Sequence, residues 1–324
     1  MAAAGKITCV SIVLALASAL AYGLSDFLGG LFSRRASPWA IAVLAQVAGA
    51  VVLVMAAGTL GGSPTGTDLG WGALSGVGSG LGTYFLYRGL GGGQMNVVAP
   101  LSALGAAVLP VVAGFALGER PEALAWIGIA CALPAIWLVS RSSAPEGSAG
   151  GRSGASVRDG LLAGAGFGLL FLALGQVPEA AGLWPLTLGQ GIAVVILGTG
   201  AAVAGASIRG IPRGLVAGAL GIGVCAAGAT VLYQLAVRGE LVSVTAVLAS
   251  LYPALTVLLA AVFLHERMNR VQALGLALAA VAVTMVALAW RPPTSCAWAG
   301  RSRSARGSAP LPDHGLGYAV LTEQ

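Results

Sequence analysis

Asp26 lies in an apolar stretch of roughly residues 10–32, with no basic residue between Lys6 and Arg34. Were that stretch a helix centred near Tyr22, its carboxyl would sit ~6 Å from the middle, at about 1.5 Å per residue. An acidic group so deep in hydrocarbon costs several kcal/mol and normally faces a cavity or a partner. Such a group can take up and release a proton or hold a cation. The competing reading is structural, a contact with a neighbouring helix or a reach toward Arg34 and Arg35. Arg34 is ~12 Å further along the helix axis, too far for a direct local pair. Ser18, Tyr22, Ser25, Asp26 and Gly29 follow the i, i+4, i+7, i+8, i+11 spacing of one helix face. A polar stripe of this kind turns toward protein or water, not lipid.

A second set of polar residues occurs twice. Tyr84, Tyr87 and Arg88 take i, i+3, i+4 spacing, and Thr230, Tyr233 and Gln234 stand 146 positions later. Tyrosine combines a flat apolar body with a polar tip, so two such sets could wall a pocket for a small amphipathic solute. Tyr87, Arg88, Tyr233 and Gln234 also suit an interfacial belt; Tyr84 is deeper. Gln46 and Gln190 sit at matching depths after Trp39 and Trp184. They read as interhelical hydrogen-bonding groups or as solute contacts. Pro100, Pro110 and Pro253 each remove a backbone donor. The carbonyls freed near Ala106 and Ala249 could line a cavity beside Ser102, Ser250 and Tyr252, or the prolines could simply bend a packed helix.

These side chains need a scaffold. With 57% hydrophobic and 9% charged residues among 324, the chain is far below the roughly 25% charged fraction of soluble domains. Apolar segments fall at about 10–32, 38–58, 70–90, 95–117, 122–140, 159–176, 183–204, 213–237, 241–264 and 271–290. Each is long enough to cross ~30 Å of hydrocarbon as a helix, and helix is required because an open strand edge cannot be satisfied in lipid. The expected fold is an all-α polytopic membrane protein.

The chain repeats itself. Gly72-Ala73-Leu74 through Leu86-Tyr87 returns as Gly218-Ala219-Leu220 through Leu232-Tyr233. With five helices per copy and short loops, the second copy must run upside down, giving two inverted five-helix repeats. The expected organisation is repeat 1–140, a Gly/Ser-rich linker 141–158, repeat 159–290 and a disordered tail 291–324. Rows of glycine at every fourth residue (72-76-80, 160-164-168 and 210-214-218) suit close helix packing or sliding surfaces.

Several functions are excluded or made remote. Lys6 is the single lysine and leaves no room for a phosphate-cradling GxxxxGK[ST] loop. Cys9, Cys131, Cys225 and Cys296 are isolated, so neither metal nor disulfide is expected, and no cofactor. The scattered basic residues do not make a nucleic-acid surface. Ala17-Ser18-Ala19 could mark a cleavable signal, but the apolar run continues past it.

The junctions LPVVAGFALGERPEALAWIGIACAL and YPALTVLLAAVFLHERMNRVQALGLALAAVAV, with Tyr22-Gly23 echoed by Phe167-Gly168, resemble the drug/metabolite transporter superfamily, EamA type. The resemblance covers about residues 10–290. It implies a ten-helix carrier, commonly an exporter of amino acids, metabolites or drugs. It also implies a central cavity lined by helices one, three, four, six, eight and nine. The matching positions are Tyr22, Asp26, Tyr84, Ser102, Tyr233 and Tyr252. Many members have Trp where Tyr22 stands and a basic residue where Gln46 stands. The junction residues Glu119, Arg120 and Pro121 read as loop structure, with Pro suited to a first helical turn and Glu to a helix dipole. Glu266 and Arg267 read the same way.

The expectation is therefore a secondary carrier in the cell membrane that works by alternating access on a small solute, with protons as a possible coupling ion. The resemblance places both termini in the cytoplasm. The basic residues lean the other way, seven against ten, by the positive-inside rule. A non-transporting scaffold or receptor subunit is the alternative. An intramembrane hydrolase is remote: a two-Asp protease needs facing carboxylates, and no second one lies as deep as Asp26.

Overall fold

The computed structural model describes residues 9–33, 35–91, 95–140, 154–206, 211–238, 241–263 and 269–289. Among these residues the chain is helical and holds no strand. The helices are α1 Cys9–Ser33, α2 Pro38–Leu60, α3 Gly66–Gly91, α4 Met95–Ala116, α5 Ala123–Ser140 and α6 Gly154–Gly175, then α7 Trp184–Val203, α8 Arg213–Val237, α9 Val242–Ala249, α10 Tyr252–Phe263 and α11 Arg270–Leu288. Among the described residues nine spans are long and apolar enough to cross a membrane, α9 and α10 counting together as one. The remaining long helix, α3, is diluted by glycine and carries Asp68 and Arg88 near its ends.

Two boundaries differ from the sequence expectation. α6 begins at Gly154, because Gly154-Ala155-Ser156 continues the helix backward from the apolar run, so Asp159 lies inside a helix. The ninth span is broken: α9 ends at Ala249 and α10 starts at Tyr252, just before Pro253 withdraws a donor. Pro100 and Pro110, by contrast, are accommodated within one continuous α4. The 291–324 tail, most of the 141–158 linker, and the residues Arg34, Gly210, His265, Glu266 and Arg267 lie outside the described residues.

The halves exchange partners. α1 packs on α8 and α3 on α6; α2 packs on α8 and α3 on α7; α1 meets α9 and α10 while α4 meets α6. Each pairing recurs with the halves swapped, as a two-fold relation demands. The ends show the inversion. Arg88, late in α3, contacts Asp159, early in α6. Ser63, after α2, donates to Ala180 O, after α6. Thus α6 starts at the end of the bundle where α1 stops. We call the end where α1 begins the near face and the other the far face.

Glycine sets the closest approaches. A Cβ on Gly72 or Gly76 of α3 would collide with the backbone of Pro185 or Gly189 in α7, and Gly164 of α6 faces Gly105 of α4. Two of the three expected glycine rows thus lie between helices, where small residues let backbones meet. The third does not behave this way: Gly214 has open space beside it and Gly218 faces the Phe32 ring. Exposed Val47, Val51, Val54 and Met55 of α2 mark an outward apolar groove shared with Gly191 and Val194 of α7.

Candidate functional site

The polar stripe of α1 faces the other half. Ser18 Oγ donates to Ala229 O of α8 at 2.8 Å. The Tyr22 hydroxyl lies 2.8 Å from Thr230 Oγ1. Thr230 already spends its proton on Ala226 O at 3.0 Å, so Tyr22 is the donor. Gly23 lets α10 approach: a Cβ there would meet Tyr252 O and Leu255 Cβ, and Thr256 Oγ1 donates to Gly23 O at 3.2 Å.

Asp26 follows one turn after Tyr22. Val10, Val13 and Leu20 are the exposed apolar side of α1. At about 100° per residue Asp26 is roughly opposite them. It is nevertheless solvent-accessible. Among the described residues no basic side chain is paired with it. Tyr22 joins a continuous aromatic surface, edge-on to Phe171 at 6.1 Å and 6.2 Å from Tyr252.

Toward the near face the centre is closed. The Tyr233 ring sits 4.7 Å from Phe171 and its hydroxyl donates to Phe171 O at 2.9 Å. Tyr233 and Gln234 have no exposed surface, and Gln234 Nε2 donates to Val177 O at 2.9 Å. The Glu119 carboxylate accepts from the amides of Val242 at 2.7 Å and Ser243 at 3.0 Å, with the Ser243 hydroxyl as a third donor. An anion on two free amides at a helix start is a strong, charge-assisted arrangement. Glu119 was expected to serve the helix after it. It instead caps α9, in the other half, a partner that local sequence cannot specify.

Toward the far face, Arg88 Nε donates to Asp159 Oδ2 at 3.0 Å, and its guanidinium lies over Phe85 at 4.7 Å and Tyr84 at 5.5 Å. Trp39 stands 5.8 Å from both Tyr84 and Tyr87. Asp159 is buried, 5% exposed. Unlike Asp26, it is neutralised.

The structure brings Tyr22, Asp26 and Tyr252 together, with Tyr233 adjoining through Phe171. Tyr84 packs against Trp39 and the backbone of Gly200. Ser102 is buried and donates within its own helix to Ala99 O at 2.9 Å. Gln190 Nε2 reaches Gln46 O at 3.4 Å, placing both residues at the α2–α7 contact, apart from the group around Asp26. Phe171 and Asp159 were missed by the sequence reading. The repeat offered a signal for Phe171: shifting Tyr22 onto Phe167 carries Asp26 onto Phe171.

Residues 10–141 match the model of the EamA-like transporter family. No curated protein matches the chain. A protein of known crystal structure is similar in fold, at 15% identity and a TM-score of 0.67, over 86% of this chain and 98% of its own.

Proposed function

Because residues 10–141 match the model of the EamA-like transporter family, which belongs to the drug/metabolite transporter superfamily, we propose that the chain moves a small organic solute across the membrane by alternating access. The family suggests a membrane transporter of small solutes. The direction proposed is export, and the coupling ion proposed is the proton.

One observation carries the proposal. Tyr87 and Tyr233 hold equivalent places in the two repeats, yet Tyr87 is half-buried and Tyr233 has no exposed surface. A two-fold molecule whose related gates differ is in one of two mirror states. Here the cavity is open toward the far face and shut toward the near face. Exchanging the two environments opens the other side around the same pocket, which is how inverted-repeat carriers alternate. The pocket is bounded by Tyr22, Asp26, Tyr84, Tyr87 and Tyr252; Asp26 binds the solute or its coupling proton. Tyr233 lies on the closed side, Ser102 is buried in the half of α4 nearer the far face, and Gln46 and Gln190 hold α2 to α7. With the termini in the cytoplasm, the open side is extracellular.

The test is counterflow in proteoliposomes with labelled amino acids, nucleosides and cationic dyes, together with cysteine labelling from each side. A cysteine at Gly29 should react with a water-soluble maleimide and one at Ala246 should not. Asp26→Asn should abolish pH-dependent transport in a folded protein. Equal reactivity at both sites, insensitive to any transported solute, would show a molecule that does not alternate. A non-transporting scaffold predicts that outcome.

A further inference from the structure

We propose that one water molecule is built into the near-face end of α8, between Gln234 and Arg238, and that it ties α8 to the connection between α6 and α7. The inference does not depend on the carrier reading above.

Two side chains define the place. Gln234 lies in the last turn of α8 and Arg238 is the residue that ends it. Four positions apart, they share one face of the helix. Gln234 has no exposed surface, and its Nε2 donates to Val177 O at 2.9 Å. Arg238 Nη1 donates to Glu179 Oε1 at 2.9 Å. Both side chains therefore end on one short segment, Val177-Pro178-Glu179, which follows α6. Helix, side chains and segment close a ring.

The ring holds two polar atoms that the protein leaves unmatched. Gln234 Oε1 and Arg238 Nε are buried, and neither has a hydrogen-bond partner among the described residues. The bond to Val177 O fixes the amide orientation, since only the nitrogen end can donate there. What remains is one acceptor and one donor. Pro178, between the two anchor residues, has no N–H to offer. Leaving both atoms unmatched would cost more than the usual hydrogen bond gains.

The ligand follows from that pair. An anion would meet the amide oxygen, and a cation would meet the guanidinium. Water accepts from Nε and donates to Oε1 at once, and buried waters serve otherwise unsatisfied groups of this kind. Two hydrogen bonds through one water reach across about 5.6 Å, which suits side chains on successive helical turns, with Cβ atoms about 6 Å apart.

The test is the structure of the full-length protein in lipid nanodiscs, at a resolution that shows ordered water, together with a double-mutant cycle. The map should hold one water within about 3.2 Å of both Gln234 Oε1 and Arg238 Nε. Direct contact between the two atoms, an apolar side chain between them or a dry gap overturns the proposal. Arg238→Lys keeps the charge facing Glu179 and removes Nε. Gln234→Leu removes Oε1. In denaturant unfolding, the double variant should lose at least about twofold less of the folding equilibrium constant than the product of the single losses, because both changes cut the same bridge. Multiplicative losses would mean that the two groups share no water and would overturn the proposal.

Discussion

The Tyr22 hydroxyl donates to Thr230 Oγ1 over 2.8 Å, joining residues 208 positions apart in the chain. This bond ties the first helix of one repeat to the third helix of the other, directly below Asp26. Removing it by Tyr22→Phe should cost about 0.5–1.5 kcal/mol of stability. Combining that change with Thr230→Val should cost much less than the sum of the two, because each removes the same bond. A double-mutant cycle on thermal or denaturant unfolding of the detergent-solubilised protein measures the coupling. Additive losses would mean that the two hydroxyls do not interact.

Tyr233 closes the near side through its bond to Phe171 O. Tyr233→Phe keeps the ring contact and removes the bond. If that bond helps hold the far-open state, the variant shifts the balance toward near-side opening by up to about tenfold, the equivalent of ~1 kcal/mol. Labelling of a cysteine at Ser18, buried in the present state, should quicken accordingly. Tyr87→Phe should not have this effect, because Tyr87 already keeps part of its surface exposed.

Glu119→Gln retains the shape of the α9 cap and loses its charge. Amides at 2.7 and 3.0 Å would then face a neutral group able to bond one of them well. The expected loss is about 1–3 kcal/mol, read as a lower unfolding temperature together with easier labelling at the near face. Glu122→Gln, at the start of the following helix, should affect near-face labelling far less.

Arg88 and Asp159 connect α3 to α6 at the far face. The Asp159 side chain is 6% exposed and that of Arg88 38%, so without Arg88 the buried acid keeps only the longer contact to the exposed Arg158, at 3.6 Å. Arg88→Met should therefore destabilise more than Asp159→Asn. The double change should recover part of the loss, since a buried charge without a partner is costlier than a neutral pair. Unfolding temperatures of the four proteins decide this.

Gly76→Leu should prevent native assembly, because the α3 backbone lies directly on that of Gly189 in α7 and neither can yield. Gly214→Ala, where the space is open, should be neutral or slightly stabilising, since alanine is the better helix former by about 1 kcal/mol. Monodispersity in size-exclusion chromatography and unfolding temperature measure both.

Hydrophobic run length and punctuation by themselves located the spans to within a few residues, because each must cover the same hydrocarbon thickness. The repeat and the odd number of spans per copy dictated inversion. The stripe from Ser18 through Asp26 was legible because its period is that of a helix. Three things required the folded chain. Glu119 caps α9 instead of the helix beside it, and Asp159 finds Arg88 from across the halves; partners so distant are chosen by which helix faces meet, and periodicity does not encode that. The broken ninth span differs from the continuous fourth although both carry proline, since neighbouring helices decide whether a missing donor can be absorbed. Last, equivalent positions of the two repeats differ in burial: only the tertiary structure could reveal that Tyr233 is fully buried while Tyr87 keeps part of its surface exposed, because packing against different neighbours decides it.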